Sequence, residues 1–180
     1  MDTLTNFKNN MVYLSGLLQN IIIDNSQKHP ELPKGEEIAA VTAFLEKASA
    51  KGLLYRFVVH SYDYWPHIKR KDRKFFAENV DSIFGASEKL KTQTKGLRIL
   101  FSKEGVVDEK NFSIISRKIR QMVRQSIIYM ISEIGDRTTI EMFDLKPEFK
   151  LTKDILVKLK SEWEPTKTED EQERLRWEKS

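Results

Sequence analysis

Three residues of the types used in nucleophilic catalysis lie close together in the chain: His60, Ser61 and Asp63. In a catalytic triad a histidine activates the serine hydroxyl and a carboxylate orients the histidine, but the three groups come from distant segments that meet in space. A cluster of sequence neighbours therefore does not predict a triad, and we expect the histidine ring to be packed and hydrogen-bonded. The chain has no cysteine, and its histidines lack metal-site spacing, so the sequence predicts no catalytic residues and no metal ligands.

A basic segment follows a group of aromatic residues. The cations are Lys69, Arg70, Lys71, Arg73 and Lys74, and the aromatics before them are Tyr62, Tyr64 and Trp65. Cations of this density can bind nucleic-acid phosphates, and exposed aromatic rings can stack on single-stranded bases. Two other interpretations stay open: the aromatics belong to the core and leave the cations as a solvated face, or the cations bind an acidic protein.

Residues 108–135 are predicted to form the long helix around which the other elements are arranged. Asp108 is a candidate N-cap and Gly135 suits the left-handed position after a helix. The apolar residues between them recur at steps of three and four, as on one helix face: Phe112, Ile115, Ile119, Met122, Val123, Ile127, Met130, Ile131 and Ile134. A second face carries more cations, which would extend the basic surface if the two helices lie side by side: Arg117, Lys118, Arg120 and Arg124.

The same periodicity places further helices before and after this one. They are expected at residues 3–24, from residue 36 onward, from Pro66 to Gly85, at 87–102, and from Thr152 to Trp163, while 53–65 is a buried helix or a strand. Residues 138–145 favour a short extended segment with no evident partner strand. The predicted fold is an all-α, single-domain bundle of about six helices, residues 1–164, with a charged C-terminal arm at 165–180.

The net charge of +4 is divided unevenly along the chain. Residues 162–180 hold seven acidic and four basic side chains, so they carry −3 and leave +7 on residues 1–161. Trp163 and Trp177 are large aromatics in this polar region and are candidate anchors for another protein or subunit. The alternative is that both dock back onto the parent bundle.

Residues 60–85 and 117–131 carry a resemblance to a group of proteins. Their sequences, HSYDYWPHIKRKDRKFFAENVDSIFG and RKIRQMVRQSIIYMI, resemble uncharacterised helical proteins of large double-stranded DNA viruses in the spacing of aromatic and basic residues. The resemblance covers about half of the chain. It implies a viral origin and a role in the virion or in the DNA compartment, and it supplies no active site.

Several functional classes lack any signature in the sequence. The glycines do not form a phosphate-binding loop, no apolar run reaches the ~20 residues of a membrane span, and no cofactor is indicated. We therefore expect an intracellular protein of the cytoplasm or nucleus, or a virion component. The leading hypothesis is a non-enzymatic interaction, structural or assembly protein, of undetermined oligomeric state, with another protein or subunit as partner. The alternative is binding of DNA or RNA through residues 69–74 and the arginine face of the long helix.

Overall fold

The computed structural model describes residues 2–83, 97–102 and 106–164, which fold almost entirely into helices. A 3₁₀ turn, Tyr62–Tyr64, joins two of these helices, and a hairpin of two short strands lies before the last one. The elements are α1 Thr3–Asn25, α2 Gly35–Lys47, α3 Ala50–Ser61, α4 Trp65–Lys69, α5 Arg73–Ile83, α6 Leu97–Ser102, α7 Glu109–Ile134, β1 Thr139–Glu141, β2 Lys150–Thr152 and α8 Lys153–Trp163. The predicted all-α bundle is confirmed.

Helix α7 is the central element, as its apolar stripe predicted. It packs against α1, α3, α4, α8 and β1. Seven residues of the stripe are at most 1% exposed, and Phe112 and Ile131 pack at the margin of the core. Because burying one large aliphatic side chain contributes roughly 1.5–3 kcal/mol, this stripe is a major source of stability for the bundle.

The ends of α7 and α8 are fixed by the capping residues that the sequence indicated. Asp108 Oδ1 accepts a hydrogen bond from the Asn111 N–H at 2.7 Å, and Gly135 has φ of 52°. Thr152 Oγ1 accepts from the Ile155 N–H at 3.2 Å and begins α8. The Asp108 and Thr152 side chains each satisfy a backbone group that the helix itself cannot pair. Gly135 has the expected positive φ, but its ψ of −123° lies outside the left-handed helical region that the sequence indicated.

The helix expected from Pro66 to Gly85 is divided into two. Pro66 lies in the first turn of α4, as predicted, but α4 ends at Lys69 and a turn precedes α5. Lys71 adopts a left-handed φ of 58°, and Asp72 accepts a hydrogen bond from the Phe75 N–H at 3.2 Å. An acceptor side chain at the N-cap favours a new helix start, and the basic segment therefore spans a helix end, a turn and a helix start.

The extended segment after α7 has a partner strand that the sequence did not reveal. Strands β1 and β2 pair antiparallel, with Ile140 opposite Leu151, and both of these side chains are buried. The hairpin then leads into α8, where Lys153 N–H donates to Thr138 O at 2.9 Å. Three-residue strands with one inward side chain each are too short for a period-two signal.

Helix α8 runs antiparallel to α7. The Lys153 Nζ at its start donates to Gly135 O at 2.8 Å, and residues at its end lie beside Arg124 and Ile127 of α7. It buries Leu156 and Trp163, whereas Ile155, which we expected on the inward side, is 39% exposed.

Some sequence predictions fall outside the described residues. These are the first part of the helix expected at 87–102, most of the turn before α7, and the arm at 165–180 with Trp177. No helix among the described residues is long and apolar enough to cross a membrane.

Candidate functional site

Ser61 and Asp63 make separate contacts, whereas His60 is exposed, so the expectation of a packed ring is wrong for it. The Ser61 hydroxyl is fully buried, donates to Phe57 O at 2.5 Å and accepts from Trp65 Nε1 at 2.9 Å. Asp63 instead forms an ion pair with Lys146 at 3.5 Å. Burial lowers the pKa of His60, and the cations Arg56 and Lys146 lower it further. A serine whose hydroxyl is already donated to a main-chain carbonyl is not poised to act as a nucleophile.

The aromatic residues before the basic segment belong wholly or partly to the interior. Trp65 is 2% exposed, so the hypothesis that it stacks on a base is wrong. Tyr62 and Tyr64 are half-buried, with ring centroids 5.1 Å from Trp65 and 5.2 Å from Phe75 respectively. Burial raises the pKa of Tyr62, with smaller contributions from nearby carboxylates. These rings are engaged with protein neighbours, which corresponds to the core interpretation of the sequence.

Two cations of the basic segment are used to join helices. Lys69 Nζ donates to Glu162 O at 2.6 Å and lies 5.9 Å from the Trp163 ring centroid, so it binds α4 to the end of α8. Arg73 donates to Val107 O and lies over the Phe112 ring at 5.3 Å. Both contacts combine a charged hydrogen bond with a cation–π interaction.

The other three cations lie on the surface around the turn between α4 and α5. Arg70, Lys71 and Lys74 are exposed, and Arg70 also contacts His67 Nδ1 at 3.1 Å. Asp72 contributes one carboxylate to the same turn, 3.9 Å from His67. We call Arg70, Lys71 and Lys74 the turn cations.

The cationic face predicted on α7 is not a uniform exposed surface. Arg120 is 6% exposed, so as a surface contact residue it was wrongly assigned. Lys118 points toward α1, 5.0 Å from the Tyr13 ring centroid and 3.4 Å from Asn10 Oδ1. Burial lowers the pKa of Lys118, and the neighbouring Arg117 lowers it further. Arg117 is half-buried, and only Arg124 reaches the groove described next.

A shallow groove of about 90 Å³ separates α7 from the end of α8. Its lining residues, which we call the α7–α8 groove, are Arg124, Ile127, Ile128, Lys160, Trp163 and Glu164. Ile128 is 48% exposed, although it is a large aliphatic side chain. The groove therefore combines an apolar floor with two cations and one carboxylate.

Trp163 forms one wall of this groove because it folds back onto the bundle. It is 6% exposed, and its ring centroid lies 6.2 Å from that of Trp65. Of the two interpretations of Trp163, docking on the parent bundle is the one observed. Ile128 and Lys160 were missed by sequence reasoning, because Ile128 lies outside the predicted apolar stripe and Lys160 was given no role.

A second polar cluster lies between α3 and α7. Lys51 Nζ and Glu133 Oε1 are 3.1 Å apart, Tyr129 OH donates to Glu133 Oε2 at 3.4 Å, and Lys51 lies 5.6 Å from the Tyr55 ring centroid. The Lys51 hydrogen bond lowers the pKa of Glu133, and the same bond raises the pKa of Lys51. Both shifts stabilise the charged forms, whereas a general acid or base needs a pKa moved toward neutrality.

Comparison with known proteins found no relative of this chain. Within the described parts of the chain, no group of three or more His, Asp or Glu side chains is arranged to hold a metal ion. No protein-family model matches the sequence, and no curated protein and no solved structure matches the chain.

Proposed function

We propose that this chain is a non-enzymatic protein-interaction protein that serves as a structural or assembly component. The observation that carries the proposal is the α7–α8 groove, where an exposed isoleucine lies beside a tryptophan wall and two cations. Apolar surface with a charged rim is the ordinary composition of a protein contact site. The acidic run at 169–173 begins five residues after Glu164, which itself lines the groove.

The roles of the residues with catalytic potential support a non-enzymatic function. Ser61 is hydrogen-bonded inside the bundle, and Asp63 is paired with Lys146. Lys51 and Glu133 hold each other in their charged states. These groups stabilise contacts between helices, and their arrangement does not resemble the nucleophile, base and orienting group of an active site.

The viral resemblance gives this proposal a more specific form. Helical proteins without a catalytic centre commonly act through their surfaces, and residues 60–85 and 117–131 resemble proteins of large DNA viruses. On this basis the assembly would be part of a virion. A matching test is whether antibodies against the purified chain detect it in purified virions of its source at a fixed ratio to a capsid protein.

Removal of residues 165–180 tests the interaction function. The full chain and the shortened chain are compared by sedimentation, both purified and in extracts of cells that produce the protein. We expect the full chain to sediment in a larger species than the shortened chain. Far-UV circular dichroism should show that the helical bundle of the shortened chain remains folded. Sedimentation that does not change on removal of the segment would contradict the proposal.

Nucleic-acid binding is the second candidate, favoured by the exposure of the turn cations at one position of the fold. The structure sharpens its test, because Lys69 and Arg73 also join helices and should be left intact. Arg70→Gln, Lys71→Gln and Lys74→Gln together should reduce the slope of log affinity against log salt by up to about 3 on duplex DNA, at about 0.9 per phosphate contact. Oligonucleotide fluorescence anisotropy across a salt series measures this slope.

The matched control for this experiment changes three exposed lysines in another part of the sequence. Lys28, Lys34 and Lys47 lie in or beside α2 and its connector, and all three are exposed. Their replacement by glutamine alters net charge equally, so it should leave most of the slope in place. Equal loss in the two triple variants would indicate non-specific attraction to a basic protein and would reject a site at the turn.

A further inference from the structure

We propose that the α7–α8 groove binds the C-terminal segment of a second copy of this chain, with Trp177 as the inserted side chain. This inference rests on the proposed interaction function and names its partner. Trp163 is already committed to its own bundle, where it packs against Trp65. Trp177 is the other tryptophan of the acidic C-terminal region, so it is the side chain with the apolar surface that the groove can accept.

The chemistry of the segment matches the groove. Alternate residues of an extended peptide face the same side, which would align Glu171, Glu173, Leu175 and Trp177 toward one surface. Such a side presents two carboxylates followed by two apolar groups. The carboxylates are complementary to cations, and the apolar groups are complementary to an aliphatic floor.

The groove supplies both of these surfaces. Ile127, Ile128 and Trp163 provide apolar atoms, and Arg124 and Lys160 provide positive charge at the margin. Beyond the groove, residues 1–161 carry +7 in total, whereas positions 169–173 contain four acidic residues. The body of one copy therefore attracts the acidic run of another at distances set by the ionic strength.

The position of the segment favours a second copy over the same chain. Glu164 lines the groove, so the segment begins next to the groove in the chain. Trp177 lies 13 residues later and could return to its own groove only if the chain reversed direction. The one proline of the segment, Pro165, adjoins Glu164, and the residues between it and Trp177 contain no glycine and no further proline, the residues most typical of tight turns.

Sedimentation velocity of the purified full chain over a concentration series tests the contact. We expect reversible association, weakened at least tenfold by Trp177→Ala and also by Ile128→Asp. Ile128 is 48% exposed, so aspartate there should leave the fold intact, as circular dichroism can verify. The matched control is Phe44→Asp, which places the same charge on an apolar residue of α2 that is 57% exposed and should leave association unchanged.

Mixing the two defective chains distinguishes exchange between copies from other causes. The Ile128→Asp chain retains an intact segment, and the Trp177→Ala chain retains an intact groove. An equimolar mixture should therefore associate at least tenfold more tightly than either chain alone. If the mixture stays as weakly associated as its components, the groove and the segment do not meet between copies and the inference is overturned.

The remaining outcomes separate this inference from the proposed function. A purified full chain that is monomeric at all concentrations overturns the exchange between copies. This holds also when the chain is monomeric because the segment binds its own groove. If the same chain forms a larger, segment-dependent species only in extracts of its source cells, the interaction function stands with a different partner. If it is monomeric in both settings, both proposals fail.

Discussion

The junction between α4 and α8 and the turn between α4 and α5 show two different uses of the same basic segment. At the junction, Lys69 lies over Trp163 and donates to a main-chain carbonyl, so its charge stabilises the contact between two helices. At the turn, Arg70, Lys71 and Lys74 are exposed. Neighbouring cations in a sequence can thus differ in what they contact: Lys69 is also exposed, but its ammonium group is hydrogen-bonded to the end of α8.

Trp65→Ala should have the largest effect, because Trp65 is the interior residue on which the junction is built. Its side chain is 2% exposed, packs beside Trp163 and donates a hydrogen bond to Ser61. Replacing it leaves a large cavity and removes the hydrogen bond that the Ser61 hydroxyl accepts, so the free energy of unfolding should fall by about 3–5 kcal/mol. Urea denaturation followed by far-UV circular dichroism measures the change.

Phe44→Ala is the control for Trp65→Ala. Phe44 is also a large aromatic residue, but it is 57% exposed on α2, so its loss should change the free energy of unfolding by less than about 0.5 kcal/mol. A Trp65→Ala chain that unfolds at the same urea concentration as the Phe44→Ala chain would contradict the assignment of Trp65 to the core.

The sequence predicted the features that depend on strong local signals. The nine-residue apolar stripe of α7, the Asp108 and Thr152 caps and the position of Pro66 each follow from one segment of chain. The division between α4 and α5 was missed, because it depends on Lys71 accepting a left-handed conformation that its residue type does not favour. The β1–β2 pairing was missed because it joins two three-residue segments across the loop 142–149.

The candidate site was less predictable than the fold, because it depends on tertiary contacts. Periodicity identified Ile127 as core and left Ile128 unassigned, and nothing in the sequence brings Lys160 of α8 beside Arg124 of α7. The antiparallel return of α8 creates this juxtaposition. Conversely, the residue types at 60–63 suggested chemistry that the packing of Ser61 does not support.

A comparison of Lys69→Ala with Lys74→Ala sharpens the contrast between the two regions. Lys69→Ala removes a charged hydrogen bond to Glu162 O and a cation–π contact, so the free energy of unfolding should fall by about 1 kcal/mol. Lys74 is exposed at the start of α5, so its replacement should change stability by less than about 0.5 kcal/mol. Paired urea titrations provide the measurement, and equal stabilities of the two variants would remove the distinction between junction and turn.

The pair formed by Lys51 and Glu133 tests whether a cation held over an aromatic ring also supports the fold elsewhere. Lys51 repeats the arrangement of Lys69, since it lies over the Tyr55 ring and is hydrogen-bonded to an acceptor on another helix. Because the pair is partly exposed, its contribution at neutral pH should be small and should decrease with added salt. Its clearest effect should therefore be on the pH dependence of stability.

The sign of that pH dependence follows from the direction of each pKa shift. The pKa of Glu133 is lowered below its ordinary 4.5, chiefly by the Lys51 hydrogen bond, so its contribution is present above pH 4.5 and is lost as pH falls through the lowered value. The pKa of Lys51 is raised above 10.5, so its contribution is present below pH 10.5 and is lost as pH rises through the raised value.

Glu133→Gln should therefore flatten the acid side of a plot of urea midpoint against pH, and Lys51→Gln should flatten the alkaline side. Glu141→Gln, on an exposed strand residue without this lysine contact, provides the reference. An acid slope in the Glu133→Gln chain as steep as in the reference would mean that the cation over the ring at Tyr55 does not hold α3 to α7 in the way that Lys69 holds α4 to α8.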